Sequence, residues 1–179
     1  MNNQELLDLL RGDYPEVSPQ TAETGEILWD VPAERFAEVA RALKERPEFA
    51  FDSLMCLSGL DMSKYPGSEK GTTFGDLIAC VYHLHSFLLG HEIAVRVLVP
   101  REDGSVPSVE TQWPVAGFFE REIYDLLGVN FPGNHDLRRL MMPEDWVGHP
   151  LRKDYQYPAQ YHGWDTKREG QSFTSGPYA

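Results

Sequence analysis

Residues 92–100, EIAVRVLVP, are the stretch that decides the fold class of this chain. Apolar side chains alternate along it and share one face: Ile93, Val95, Val97 and Val99. Arg96 lies on the other face, as in a β-strand with one buried side. A second β-rich run, residues 74–86 (FGDLIACVYHLHS), comes just before it, and only FLLGH separates the two. So short a connection predicts that the two strands are antiparallel neighbours.

Helices are predicted on both sides of this strand pair. Residues 32–46 (PAERFAEVARALKER) carry apolar residues at helical spacing from Pro32, a favourable first helical position. Residues 114–128 (PVAGFFEREIYDLLG) do the same, with Gly128 as the C-terminal cap. The two apolar stripes are Phe36, Val39, Ala40 and Leu43, and Phe119, Ile123, Leu126 and Leu127. A shorter amphipathic helix is predicted at residues 4–12 (QELLDLLRG).

Two more strands complete the pattern, at residues 25–31 (GEILWDV) and 49–62 (FAFDSLMCLSGLDM), and a polar loop follows at residues 64–72 (KYPGSEKGT). The order helix, strand, helix, three strands, helix predicts an α+β fold with the helices on one face of a small mixed or antiparallel sheet. Beyond Gly128 the periodicity ends, and prolines and aromatic residues dominate. We therefore predict a compact domain over residues 1–130 and an extended C-terminal strap over residues 131–179 that docks on partner subunits.

The formal net charge is −12, and residues 135–179 are neutral overall, so the negative charge belongs to the body. A body of this charge would repel phosphates, which disfavours nucleic acid as a partner. No apolar run approaches the ~20 residues that span a bilayer, and the first residues lack the layout of a signal peptide, so a cytoplasmic chain without its own membrane segment is expected.

Cofactor motifs are missing from the sequence. Cys56 and Cys80 stand apart without a C-x-x-C spacing, so neither a disulfide framework nor a four-cysteine cluster site is expected. The glycines form neither a dinucleotide-binding fingerprint nor a phosphate-binding loop.

Two small groups of residues could carry chemistry. Glu122 and Asp125 share a helix face, and a free-standing hydrolase could use such a pair, although acids beside Arg121 on a helix surface are more often ordinary ion pairs. His83 and His85 share one face of a strand and could bind a metal if a third ligand converged. The alternative for the histidines is a half-buried sheet face with local hydrogen bonds.

Two pairs of cations lie in the C-terminal quarter: Arg138 and Arg139, and Arg152 and Lys153. Arginine beside aromatic and proline residues in extended chain is typical of protein interfaces, because the guanidinium both stacks on rings and pairs with carboxylates. We expect these cations to anchor the chain to acids on a neighbouring subunit. The alternative is pairing inside the chain with Glu120, Glu122 or Asp125.

Over about residues 49–157 the chain resembles the C subunit of respiratory complex I, the proton-pumping NADH:quinone oxidoreductase, and the related small subunits of membrane-bound hydrogenases. The resemblance rests on blocks in the family's order: FDSLMCLSGLD, VYHLHS, VRVLVP, SVETQWPVAGFFEREIYDLLGVNF and DLRRLMMPEDWVGHPLRKDY. One departure is visible, because Asn134 stands where the family usually has histidine, and His135 falls one place later.

The resemblance implies a peripheral-arm subunit that binds no cofactor itself, while partner subunits hold FMN, iron–sulfur clusters and quinone. Its implied partners are the quinone-cavity subunit and the subunit with the terminal cluster, on the cytoplasmic side of the cell membrane. The residues it marks as interface or motif positions, and not as catalytic, cofactor-binding or metal-binding ones, are Glu120, Arg121, Glu122, Asp125, Arg138, Arg139, His149, Arg152, Lys153 and Asp154. An equivalent subunit of a hydrogenase or formate-oxidising complex is the alternative, since nothing in the chain identifies the electron donor.

Overall fold

The computed structural model describes residues 3–21, 25, 27–64 and 76–166. In this part of the chain the helices are α1 (Asn3–Asp13), α2 (Ala33–Glu45) and α3 (Ala116–Leu127), with one 3₁₀ turn at Met62–Lys64. The strands are β1 (Ser18–Thr21), β2 (Ile27–Asp30), β3 (Ser53–Asp61), β4 (Leu77–His85), β5 (Glu92–Pro100), β6 (Gln160–Tyr161) and β7 (Trp164–Asp165). None of the helices found over these ranges has the length and apolar character needed to cross a membrane.

Five strands form one mixed sheet in the order β1-β2-β5-β4-β3. The two runs that decide the fold class, β4 and β5, pair antiparallel over their whole length, from Leu77 opposite Pro100 to His85 opposite Glu92. That prediction is confirmed. Among the described strands of this sheet, β2 and β5 are the pair that runs parallel. The chain passes from β2 to β5 through α2, β3 and β4. The mixed sheet and the three helices confirm the predicted α+β class.

The main core lies on one face of this sheet, between the strands and the helices. Alternate residues of β4, such as Cys80 and Tyr82, and of β5, such as Val97, point into it together with the predicted stripe of α2 and with Ile123 of α3. The other face of the sheet carries a second small cluster of buried residues: Met62, Ala79, Val81 and Ala94. The helices therefore cover a single face, as the sequence predicts.

Several boundaries differ from the predicted ones; α3, for example, begins at Ala116 and not at Pro114. β1 was not predicted, because Pro19 interrupts its pattern and its residues are mostly exposed; it survives as an edge strand, where proline is tolerated. Pro32 is the N-cap of α2 and not its first residue. α1 continues to Asp13, one residue past the predicted stop at Gly12. The polar loop predicted at residues 64–72 lies almost entirely outside the described residues.

After α3 the chain turns back over its own body. Residues 131–157 contain turns but no helix or strand, and a short hairpin, β6–β7, follows. Residues 134–155, here called the return segment, bond to α3 and to the end of β3, as described below. The last part of the predicted strap, residues 167–179, lies outside the described residues.

Candidate functional site

Helix α3 presents three buried ionisable side chains to the return segment: Glu120, Arg121 and Asp125. Glu120 and Asp125 are fully buried, so the expectation that Glu122 and Asp125 form ordinary ion pairs at the helix surface is wrong for Asp125. A buried charge is tolerated only when it is paired and hydrogen-bonded. The bonds of these three side chains therefore define the site.

Asp125 is enclosed by donors from the return segment. Its Oδ2 accepts backbone N–H bonds from Leu140, Met141 and Met142 at 3.0, 2.7 and 2.8 Å. Its Oδ1 accepts from Nη1 of Arg139 at 2.6 Å. Burial by itself would raise the pKa of Asp125, but these four donors outweigh it, so the pKa lies below its ordinary value. The carboxylate is held ionised, with both of its oxygens engaged by the chain itself.

Arg139 joins this carboxylate to two more turns of the return segment. Its Nη2 donates to the carbonyl oxygens of Trp146 and Gly148 at 2.8 and 3.2 Å, while Nη1 also reaches the carbonyl of Asp125. The planar guanidinium can make all of these bonds at once because its donors are fixed in one plane. Arg139 thus closes residues 139–148 into a loop around its own side chain.

Arg121 holds the beginning of the return segment. It donates to the carbonyl oxygens of Arg138 and Arg139 at 3.3 and 3.4 Å, and its Nη1 lies 3.4 Å from Asp136. Arg121 and Asp125 stand one helical turn apart, which puts both on the face that the return segment covers.

Glu120 ties a different loop to the helix. Its carboxylate accepts from the Ser108 hydroxyl at 2.7 Å, from the N–H of Val109 at 2.9 Å and from the Asn134 amide at 2.8 Å. Here burial is the larger effect, and it raises the pKa of Glu120 in spite of the three hydrogen bonds. One buried carboxylate therefore joins the loop before α3 to the start of the return segment.

Asn134, the departure from the family pattern, is a partner in this network. Its Nδ2 donates to Glu120 and, at 3.3 Å, to the carbonyl of Gly117. The His135 ring is exposed, and its Nδ1 contacts the Glu110 carboxylate. The amide at position 134 thus serves the buried carboxylate, while the displaced histidine points to the surface.

A second anchor lies at the end of β3. The Asp61 carboxylate accepts from the N–H of Lys153 and from the N–H of Ser63, both at 2.9 Å, and from Arg101 at 3.1 Å. Arg101 also binds Asp154. Burial would raise the pKa of Asp61, but the backbone donors and Arg101 lower it below its ordinary value. The bond between Asp61 and Lys153 joins residues that are 92 positions apart in the sequence.

Arg152 and His149 cover the C-terminus of α3. Arg152 donates to the carbonyl oxygens of Leu127 and Arg101 at 2.8 and 2.7 Å, and His149 Nδ1 donates to the carbonyl of Asp125 at 2.9 Å. Gly128 has a φ of +81°, and a Cβ there would come within 2.6 Å of His149 and 2.8 Å of Arg152. Glycine at the C-cap is what lets these two side chains reach the last carbonyls of the helix.

Most of the predicted motif residues therefore bond within the chain through their side chains: Glu120, Arg121, Asp125, Arg138, Arg139, His149, Arg152 and Asp154. Arg139 pairs with Asp125, so for this cation the structure shows the second possibility, pairing inside the chain. Arg138 pairs with Asp136, two residues away, and its side chain is 64% exposed. Lys153 contributes its backbone N–H, and Glu122 is exposed. Reasoning from sequence missed Asp61 and Arg101, because nothing in their local pattern marks them as partners of a distant segment.

The two groups considered for chemistry do not meet the geometry of a reaction centre. A general acid needs a raised pKa, whereas that of Asp125 is lowered and its oxygens are fully used, and Glu122 lies in solvent. His83 and His85 lie on β4 on the sheet face away from the main core, opposite Ala94 and Glu92 of β5. Within the described ranges no cluster of three or more His, Cys, Asp or Glu side chains could hold a metal ion.

Comparison with known proteins gives one consistent family. The family model described as "Respiratory-chain NADH dehydrogenase, 30 Kd subunit" matches residues 29–161. The C subunit of NADH-quinone oxidoreductase from Chlorobium phaeobacteroides is 42% identical over 131 residues, which cover 73% of this chain and 73% of the relative. The protein of the same name from Roseiflexus sp. is 39% identical over 161 residues, which cover 89% of this chain and 87% of the relative.

Solved structures agree with the fold. A trypsin-resistant fragment (residues 1–134) of Nqo5 superposes with a TM-score of 0.61 at 32% identity, and the match covers 76% of this chain and all of the fragment. A chain of an archaeal respiratory membrane complex, the membrane-bound sulfane sulfur reductase, superposes with a TM-score of 0.66, covering 87% of this chain and 86% of that one. The second match is 24% identical and shows a shared fold.

Proposed function

The chain belongs to the family of the 30 kDa subunit of respiratory-chain NADH dehydrogenase, and we propose that it acts there as a scaffold. In this proposal it is a subunit of the proton-translocating NADH:quinone oxidoreductase that binds no cofactor and performs no chemistry of its own. FMN, the iron–sulfur clusters and quinone are held by other subunits. Its partners are the subunit with the terminal cluster and the subunit that forms the quinone cavity, on the cytoplasmic side of the membrane.

The observation that carries this proposal is the use of the motif charges. Glu120, Arg121, Asp125 and Arg139 are buried or nearly so, and their hydrogen-bonding groups are directed at the chain itself. Groups used in this way fix the path of a polypeptide and are not available to a substrate. The motifs therefore build a rigid surface out of the return segment and α3.

Exposed apolar side chains on or beside α3 and on the return segment suit contact with another protein. Val115, Phe118, Met141 and Val147 are 44, 62, 65 and 82% exposed. A monomer rarely shows several large apolar residues close to one structural element without a partner. We assign this face, together with the exposed cations Arg138 and Lys153, to contact with the neighbouring subunits.

The electron donor is not identified by any residue of this chain. A complex that oxidises hydrogen or formate could use an equivalent subunit, and the composition of the native complex separates these cases. A flavin-containing subunit among the partners indicates NADH, whereas a nickel–iron subunit indicates hydrogen.

Affinity purification from the native membranes tests the proposal. With a tag on the full-length chain, we expect the quinone-cavity and terminal-cluster subunits to co-purify, together with NADH-dependent quinone reduction. The chain purified alone should lack the visible absorption of flavin or iron–sulfur clusters and should have no turnover. A stoichiometric cofactor in the isolated chain, or a chain recovered from the cell without any of these subunits, would contradict the proposal.

A further inference from the structure

The tip of the β4–β5 hairpin, residues 86–91, exposes three consecutive apolar residues. Phe87 and Leu88 are 76 and 79% exposed, and Leu89 is 46% exposed. The hairpin that carries them is the centre of the fold, and the tip lies apart from the bonds that hold the return segment to α3 and β3. Exposing large apolar side chains to water at the end of a turn costs free energy, and a partner that covers them removes this cost.

The tip is a preformed structure and not a loose loop. Ser86 and His91 are buried at its base, and their backbones bond at 2.9 Å. The N–H of Gly90 donates to the carbonyl of Ser86 at 2.8 Å, and the N–H of Leu89 to the Ser86 hydroxyl at 3.2 Å. His91 Nε2 lies 2.7 Å from the carbonyl oxygen of Phe49 in the body. Because the tip is already ordered, binding does not cost the conformational entropy of ordering it.

Acids predominate around the base of the tip. The Asp52 carboxylate accepts the N–H of Phe87 at 3.2 Å, and Glu92 is exposed at the first position of β5. Lys44 is the cation beside them, and its ammonium donates to the carbonyl of Asp52. With a net charge of −12 on the whole chain, a complementary partner surface carries arginine or lysine around an apolar pocket.

The same charges argue against two other occupants. A second copy would bring a second charge of −12 to the contact and would set one convex tip against another. An anionic phospholipid surface would repel the acidic base of the tip. A different protein with a concave, basic-rimmed pocket meets neither difficulty.

We propose that residues 86–91 form a plug that inserts Phe87 and Leu88 into such a pocket on another subunit of the complex. This site rests on the proposed function, because it needs a multi-subunit partner, and it adds a second contact on a different part of the molecule from the return segment. The Phe87 ring contacts the His85 ring at an interplanar angle of 73°, with the two centroids 4.9 Å apart, and most of the Phe87 side chain is left exposed to the partner.

The test compares Leu88→Asp with Leu88→Met in the full-length chain, in cells that lack the wild-type copy. Both substitutions are at a largely exposed position, so the melting temperature of each purified chain should equal that of the wild type. We expect Leu88→Met to be recovered with the membrane complex in normal amount. Recovery of Leu88→Asp should fall by at least about tenfold, because this substitution removes the burial of one leucine at the contact.

A second measurement does not depend on that variant. A photo-crosslinking amino acid in place of Phe87 should form a covalent product with one other subunit, at a site with arginine or lysine nearby. Normal recovery of Leu88→Asp would overturn the proposal. So would crosslinking to a second copy, or binding of the purified chain to phospholipid vesicles that Leu88→Asp abolishes. If the wild-type chain assembles and Leu88→Asp assembles equally well, the plug fails while the scaffold function stands.

Discussion

Asp125 shows how a single side chain can hold a segment that has no secondary structure. Its carboxylate receives four hydrogen bonds, three of them from consecutive backbone N–H groups that would otherwise be unpaired beside a buried helix face. The negative charge is matched by Arg139, whose side chain is 17% exposed. The bond network is therefore local in space, although it joins positions 14 to 17 residues apart.

Replacing Asp125 by asparagine tests that network. The amide nitrogen would face either Arg139 or the three backbone donors, so at least one buried donor loses its acceptor. We expect the free energy of unfolding to fall by about 3 kcal/mol, which lowers the melting temperature by about 6 to 12 °C for a chain of this size. Thermal unfolding of the purified chain at neutral pH measures the change.

The same variant has a predicted pH dependence. The pKa of Asp125 is lowered in the folded state, so its stabilising effect is present above the ordinary value of about 3.9 and is lost as the pH falls through the folded pKa. The difference between wild type and Asp125→Asn should therefore shrink in acid. Glu122→Gln, on the exposed side of the same helix, is the control and should change stability by less than about 0.5 kcal/mol. Equal melting temperatures for all three chains would show that the network contributes nothing.

Sequence periodicity could place Glu120 and Asp125 on a helix but could not show that they are buried. Charged residues on a helix are exposed by default. The residues of the return segment that bond to these two side chains lie 14 or more positions later and show no periodic pattern. The resemblance to a family marks several of these residues as motif positions. It could not show that Arg139 pairs within the chain, because that depends on where an irregular segment folds back.

The C-terminus of α3 is the element on which the return segment closes. Gly128 has a left-handed backbone conformation, and the side chains of His149 and Arg152 pack against it. Gly90 in the hairpin tip also has a positive φ, of +67°, but a Cβ there would meet nothing within 4 Å. The two glycines therefore separate the effect of backbone strain from the effect of crowding.

We expect Gly90→Ala to cost about 1 to 2 kcal/mol, the strain of a left-handed L-residue. Gly128→Ala should cost clearly more, because the added methyl group also displaces His149 and Arg152 from the last carbonyls of α3. Denaturant unfolding of both variants measures the difference. If Gly128→Ala were no worse than Gly90→Ala, the packing of His149 and Arg152 against the helix end would not matter for stability.

Strands differ in how well their patterns reveal them. β4 and β5 follow the alternation of a half-buried strand closely, and they were predicted correctly. β1 carries Pro19 and mostly exposed residues, and it exists because β2 offers it hydrogen-bonding partners. An edge strand of this kind is specified by its neighbour and not by its own sequence.

For the whole molecule, the position at which periodicity ends is not the position at which intramolecular bonding ends. The loss of pattern after Gly128 led to a predicted boundary at residue 130, yet bonds from residues 134–154 cross it to reach Glu120, Asp125 and Asp61. These bonds come from backbone groups and long polar side chains, which hydrophobic patterns do not report.

Two truncations test how the molecule divides. A chain that ends after Gly133 leaves Arg121 and Asp125 without their partners and removes one of the three donors to Glu120. It should melt at least about 10 °C lower, since several kcal/mol are lost. A chain that ends after Tyr157 keeps the bonds of the return segment to α3 and to Asp61. It should melt within about 3 °C of the full-length protein. Circular dichroism melts compare the three lengths. Similar melting of the two shortened chains would show that the return segment does not stabilise the body.

The bond between Asp61 and the N–H of Lys153 also bears on how the protein is made. A ribosome delivers the sheet and α3 first, so Asp61 and Asp125 leave the exit tunnel with their carboxylates still hydrated. The 26 residues that follow Leu127, up to and including Lys153, take roughly one to five seconds more at ordinary rates of synthesis. During that interval the nascent body has no cover over α3, and a premature stop in this region would release a chain whose acidic helix face stays open.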